Sequence, residues 1–177
     1  MPFQYHLKTR DSKSIKQLSW SMQTYQLSTL QTTQALGNII GELAQPGHVI
    51  LLEGDLGSGK TTLTQAIGHG LQVDATNYIT SPTFSIIQEY PGRIPLYHMD
   101  FYRITGREEF TDLGVEEYLY GSGLSVVEWP ERLADMTPDN HLKLLLIITG
   151  ESSRSMTISA KGSGWENLLQ AIQKLFV

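Results

Sequence analysis

Eight residues, Gly54-Asp55-Leu56-Gly57-Ser58-Gly59-Lys60-Thr61, limit what this chain can fold into more than any other stretch. They fill the pattern G-x-x-x-x-G-K-[ST] at every fixed position. The apolar run His48-Val49-Ile50-Leu51-Leu52 leads in, and the helix-like run Thr62-Leu63-Thr64-Gln65-Ala66-Ile67 leads out. Strand, loop and helix are therefore expected in that order. Glycines at 54, 57 and 59 let the backbone turn successive N–H groups inward around an anion. The helix that follows aims its positive end at the same point. Lys60 brings a point charge to the terminal phosphates, and the Thr61 hydroxyl is placed to ligate magnesium. Asp55, Leu56, Gly57, Ser58, Gly59, Lys60, Thr61 and Thr62 are the expected contacts to a nucleoside triphosphate. A glycine-rich turn matching by chance is the bland alternative, and the flanking strand and helix argue against it.

The expected fold class is α/β, a P-loop NTPase-like sheet of mixed parallel and antiparallel strands flanked by helices. At 177 residues the chain is most simply one domain over 22–177, preceded by a loose extension over 1–21 that carries Lys8, Arg10, Lys13 and Lys16. Hydrophobic content of 40% and charged content of 18% suit a soluble protein, and no run is apolar enough to span a membrane. The absence of cysteine excludes disulfides and thiolate metal sites. No apolar signal-peptide core appears near Met1, so a cytoplasmic location is expected. Formal net charge is −5. A chain that gripped RNA or DNA by itself would ordinarily be basic, so direct DNA binding is not expected and any RNA would be held through a partner.

Along the chain, Tyr25-Gln26-Leu27 reads as a short edge strand, and Ser28 or Thr29 caps a helix carrying Leu36, Ile39, Ile40 and Leu43. Pro46-Gly47 ends that helix, and a buried strand over 48–53 follows. After the helix over 60–70 comes a polar segment ending in Ser81-Pro82-Thr83, then a strand expected over Phe84–Tyr90. Thr83 is either a sensor of the terminal phosphate and its magnesium or part of an ordinary Ser-Pro turn. Pro91-Gly92 turns the chain into a strand ending at Asp100, where a carboxylate can hold magnesium directly or through water. Thr105-Gly106-Arg107-Glu108 reads as a capping box opening one helix with Phe110, Leu113, Val115, Tyr118 and Leu119. Leu124-Ser125-Val126-Val127 is a second short strand, and Glu128 repeats at its tip the arrangement at Asp100. Two acids at neighbouring tips make a magnesium and water site. Lys60, Asp100 and Glu128 are the candidate catalytic residues; Thr61, Asp100 and Glu128 are the candidate metal ligands. Taken singly, His98 and Arg103 read as structural, Trp129 as packing, and Arg154 as an exposed turn residue. Leu142–Thr149 reads as a central strand, Met156–Ser159 as another, and a final helix over 164–177 buries Trp165, Leu168, Leu169, Ile172 and Phe176.

Together these motifs resemble the bacterial TsaE family (also called YjeE). The resemblance rests on Leu52–Leu63, Ser81-Pro82-Thr83-Phe84, Tyr97-His98-Met99-Asp100-Phe101-Tyr102-Arg103 and Glu128-Trp129-Pro130-Glu131-Arg132, in the family's order, and covers about 25–170. The phosphate loop alone is shared widely; its combination with the later runs is far more specific. The resemblance implies a small magnesium-dependent ATPase needed to make threonylcarbamoyladenosine in tRNAs that read codons beginning with A; because no residue reads as a strong general base, turnover by the chain alone is expected to be slow, with a partner completing the site. The resemblance implies TsaD and TsaB as partners, with tRNA reached through that complex. It places Thr83 in a switch segment, Asp100 on magnesium or water, Glu128 in the magnesium site and Trp129 beside ATP. The extension over 1–21 has no counterpart in the family pattern.

Two readings of other classes remain beside it. A small-molecule kinase needs an acceptor site and a basic lid, and Arg103, Arg107, Arg132 and Arg154 are scattered. A GTP-driven switch needs an Asn-Lys-x-Asp reader, which is missing; Ser159-Ala160-Lys161 is only a weak second guanine signature.

Overall fold

The structure is a computed structural model that describes residues 22–177; the expected extension over 1–21 lies outside the described residues. One seven-stranded sheet, in the order β1-β7-β6-β2-β5-β4-β3, runs through the protein. Its strands are β1 (Gln23–Leu27), β2 (Val49–Glu53), β3 (Ile87–Tyr90), β4 (Leu96–Asp100), β5 (Leu124–Glu128), β6 (His141–Ile148) and β7 (Arg154–Lys161). The middle four, β6, β2, β5 and β4, are parallel to one another, whereas β7 and β3 attach to them antiparallel and β1 pairs antiparallel with β7. The mixed sheet expected from the sequence is therefore present, with β1 at one edge.

Strand β2 shows why the phosphate loop begins where it does. Alternate side chains of a strand face opposite ways. Ile50 and Leu52 enter a core covered by α1 (Leu30–Leu43), α2 (Lys60–Gly70) and α5 (Glu166–Leu175), while Val49 and Leu51 enter a second core under α3 (Arg107–Asp112) and α4 (Val115–Leu119). Being apolar on both faces, the strand is buried on both faces. The run over 142–149 looks equally apolar, yet β6 buries only Leu142, Leu144 and Leu146. Its other face carries Lys143, paired with Glu53 at 2.7 Å, and its end leaves Ile147 and Ile148 exposed. The difference is one of cover, because among the described residues the helices packed on that side of the sheet, α3 and α4, share their core with β2, β4 and β5 and not with β6.

Thr29 caps α1 by accepting the Thr32 N–H at 3.2 Å. Three other expectations shift. The strand expected over Phe84–Tyr90 begins only at Ile87, since Ile86 adopts φ 64° and the chain turns through Pro82–Ile86, leaving Phe84 88% exposed. The single helix expected after Thr105 is two, broken at Gly114 in the left-handed region. Its cap is closed by Glu109, not Glu108: the Glu109 carboxylate accepts the N–H groups of Thr105 and Gly106 at 3.0 and 3.1 Å.

Helix α2, which carries Lys60 and Thr61, is set by contact with α1. A Cβ added at Gly41 would stand 2.1 Å from the Ile67 carbonyl oxygen and 2.7 Å from the Leu71 nitrogen. Gly41→Ala gains about 1 kcal/mol of helix propensity. Overpacking against backbone that cannot rotate away costs up to about 3 kcal/mol. The net expectation is a loss of about 2 kcal/mol in urea unfolding, and an unchanged midpoint would mean that the two helices can separate freely.

Candidate functional site

The loop between β2 and α2 lies at the C-terminal end of the parallel strands, where ligands of open α/β sheets bind. Each loop glycine has its own reason. At Gly54 (φ 142°) a Cβ would meet the Leu146 carbonyl oxygen at 2.4 Å, so close approach forbids a side chain. At Gly59 nothing lies within 4 Å of the Cβ position, but φ is 104°, so the backbone conformation itself selects glycine. Gly59 caps α2 with no side-chain hydrogen bond, which leaves the first-turn N–H groups for an external anion.

Lys60 is 4% exposed, and its Nζ donates to the carbonyls of Gly54 and Asp55 at 2.7 and 3.1 Å. The ammonium also lies 4.3 Å from the centre of the Trp129 ring. Burial pulls the Lys60 pKa below the ordinary lysine value, opposed by the charges of Glu128, Asp100, Glu131 and Asp55. A cation stripped of water in this way gains most from an anion laid against it.

Asp100 and Glu128 stand opposite each other at the tips of β4 and β5, in parallel register. Both are buried, at 6% and 3% exposure. Asp100 accepts the Tyr102 N–H at 3.0 Å and, through its other oxygen, the Ser81 hydroxyl. Ser81 and Thr83 share a 3.0 Å hydrogen bond, so the Ser-Pro-Thr turn is tied to the acid. Glu128 Oε1 accepts the Thr61 hydroxyl at 2.9 Å and meets His98 Nε2 at 2.9 Å. Thr61, Asp100 and Glu128 thus converge as a hydroxyl and two carboxylates, a donor set suited to a hard cation. No cluster of three His, Cys, Asp or Glu side chains able to hold a metal occurs among the described residues. A cation here would need phosphate oxygens and water to complete its shell.

These groups line a cleft of about 380 Å³. Of the residues singled out in the sequence, Leu56, Gly57, Gly59, Lys60, Thr61, Thr62, Thr83, Asp100, Glu128 and Trp129 line it. Asp55 and Ser58 do not: Asp55 is exposed and contributes its carbonyl to Lys60, whereas Ser58 is buried and turned toward a second hollow. Trp129, read singly as packing, takes φ 59° and stands at the cleft wall against Tyr102, ring centres 4.9 Å apart. Ser81, Tyr102 and His98 were missed as site residues. The period of two along β4 carried a signal for His98, since it places that ring on the same face as Asp100. Arg154 is no exposed turn residue. It opens β7, half-buried, and bonds the backbone of the phosphate loop. Lys161 of the Ser159-Ala160-Lys161 run is engaged by Asp139 at 2.6 Å on the sheet's antiparallel end.

A sheet with parallel middle strands, a glycine cradle running into a helix, and paired acids at the next two strand tips define a phosphate-loop NTPase-like α/β protein. Comparison with known proteins narrows the class. Residues 27–156 match the family described as "Threonylcarbamoyl adenosine biosynthesis protein TsaE", and the chain belongs to that family. It is 38% identical over 161 residues to the tRNA threonylcarbamoyladenosine biosynthesis protein TsaE of Bacillus subtilis, covering 90% of this chain and 96% of the relative. A Nostoc protein of the same name is 44% identical over 138 residues, covering 75% of this chain and 83% of its own. The crystal structure of Bacillus subtilis YdiB superposes with a TM-score of 0.72 at 32% identity, over 86% of this chain and 95% of that one.

Proposed function

We propose that this protein binds ATP with magnesium and hydrolyses it slowly, as an accessory factor in making threonylcarbamoyladenosine in tRNAs that read codons beginning with A. The observation that carries the reading is the convergence of a desolvated Lys60 with the opposed Asp100 and Glu128 in one cleft. In this reading the β- and γ-phosphates lie against the loop amides and displace Lys60 from the carbonyls of Gly54 and Asp55.

Thr61, Asp100 and Glu128 would hold magnesium, which when bound neutralises charge on the phosphate oxygens and orients them. Ser81 and the Tyr102 N–H keep the Asp100 carboxylate in one orientation, and His98 does the same for Glu128 from behind. Both acids can then orient a water at the γ-phosphate. Among the described residues lining the cleft, Lys60 is the only Lys or Arg. That supports slow turnover by the chain alone and speaks against a kinase lid, because charge developing on the transferred phosphoryl has no arginine beside it. Exposed Leu56, Phe84 and Tyr102 around the mouth suit a partner that closes the site, here the TsaD–TsaB complex, which would bring tRNA. No helix of the described residues is long and apolar enough to cross a membrane.

Phosphate release from magnesium-ATP, measured for the chain alone and with TsaD and TsaB, tests the proposal. Slow release that rises when the complex is added is expected. Equal release in both conditions would remove the partner from the reading.

A further inference from the structure

Arg154 grips the phosphate loop from the side away from the acidic tips. Its Nε donates to the Ser58 carbonyl at 2.9 Å and its Nη2 to the Gly57 carbonyl at 3.3 Å. The same guanidinium holds the turn between β6 and β7, with Nη1 donating to the carbonyls of Gly150 and Ser153 at 3.2 and 2.9 Å. One rigid planar group therefore joins two loops that are 96 residues apart in sequence at the Ser58 contact.

The consequence follows from peptide geometry. In a planar trans peptide the C=O and N–H point in opposite directions. With the Ser58 carbonyl drawn toward Arg154, the Gly59 N–H of the same peptide is turned away from it, toward the cleft that Gly59 lines. The other bonds at these two residues are local backbone ones, the Ser58 N–H donating to the Asp55 carbonyl at 3.0 Å and the Leu63 N–H to the Gly59 carbonyl at 2.9 Å, and they leave the Ser58 carbonyl to Arg154. The Cβ positions of Gly57 and Gly59 have no atom within 4 Å, and both residues occupy the left-handed region, where glycine moves at little cost. The Ser58 hydroxyl is buried and makes no hydrogen bond among the described residues, so it does not hold the loop either.

We propose that Arg154 is a positioning residue for the triphosphate site: it orders the phosphate-loop amides by holding their carbonyls from behind, without touching the anion. This rests on the ATP reading above. It differs from two other roles the same place allows, a direct contact to the base and a simple brace for the β6–β7 turn.

Binding of ATP and of inorganic triphosphate, each with magnesium, to the full chain and to Arg154→Lys and Arg154→Ala separates the three. Both variants are expected to weaken both ligands by the same factor, about tenfold, because the preorganised amides serve the phosphates alone. Lysine is expected not to rescue, since an ammonium lacks the fork that spans two carbonyls. The unfolding midpoint should change little. Full affinity in Arg154→Lys would assign the effect to charge and overturn the proposal. So would a loss confined to ATP, which marks a base contact, or unchanged affinity in both variants. Should the variants not fold, the unmodified chain decides: the Arg154 Nε–H must be protected from exchange and the Gly59 amide resonance must move on adding triphosphate. A freely exchanging Nε–H overturns the idea. An unmodified chain that binds neither ligand instead overturns the ATP reading beneath it, a result distinct from tight binding that the variants leave unaltered.

Discussion

Lys60→Ala should lose ATP binding by about a hundredfold or more, roughly 3 kcal/mol, while the protein remains folded. The first half follows from the charges around the site. Lys60 is the cation among Glu128, Asp100, Glu131 and Asp55, and without it a triphosphate would approach carboxylates with nothing to offset them. The second half follows from the direction of its pKa shift. Burial holds the Lys60 pKa below its unfolded value, so the folded state binds fewer protons in that window and its charge opposes folding rather than supporting it. The unfolding midpoint of Lys60→Ala should therefore equal or exceed that of the parent at neutral pH. Calorimetric titration with ATP beside a thermal melt reads both numbers. Retained affinity would remove the lysine from the site; a collapsed melt would show that it acts chiefly in the fold.

Glu128→Gln should keep ATP bound and slow its hydrolysis by about a hundredfold. Glutamine has the shape of glutamate and can still accept from Thr61 and from His98 Nε2, each 2.9 Å from Glu128 Oε1. What it lacks is the negative charge for magnesium and for the attacking water. Glu128→Ala should show the same kinetic loss with a further stability loss of about 1–3 kcal/mol, because the buried His98 would have no partner at Nε2. Single-turnover phosphate release, measured at saturating ATP, separates chemistry from binding. A normal rate in Glu128→Gln would take the carboxylate out of the reaction and leave Asp100 as the acid that matters.

How legible these residues were depends on how local their task is. The cradle at 54–61 was readable because a turn that presents successive amides needs glycine at fixed intervals, and the strand before it and the helix after it announce themselves within a dozen residues. Asp100 and Glu128 were readable as acids ending apolar strands. The run over 84–90 misled because it looks extended residue by residue. Ile86 takes a left-handed conformation that a β-branched side chain disfavours, imposed by the bonds that tie its backbone to Pro82 and Asp100. Arg154 misled for a related reason. Its partners are carbonyls of Gly57 and Ser58, and a backbone oxygen has no residue type to advertise it.

By itself, the sequence determined the phosphate loop, the alternation of strands and helices and the acids at the strand tips, since each follows from conformational preference or periodicity within a short window. Only the tertiary structure decided that β4 and β5 lie side by side so that Asp100 faces Glu128, that His98 backs one of them, and that Arg154 reaches across to the loop. Those relations depend on strand order and on contacts between residues distant in sequence, and no local preference encodes which strand will be the neighbour of which.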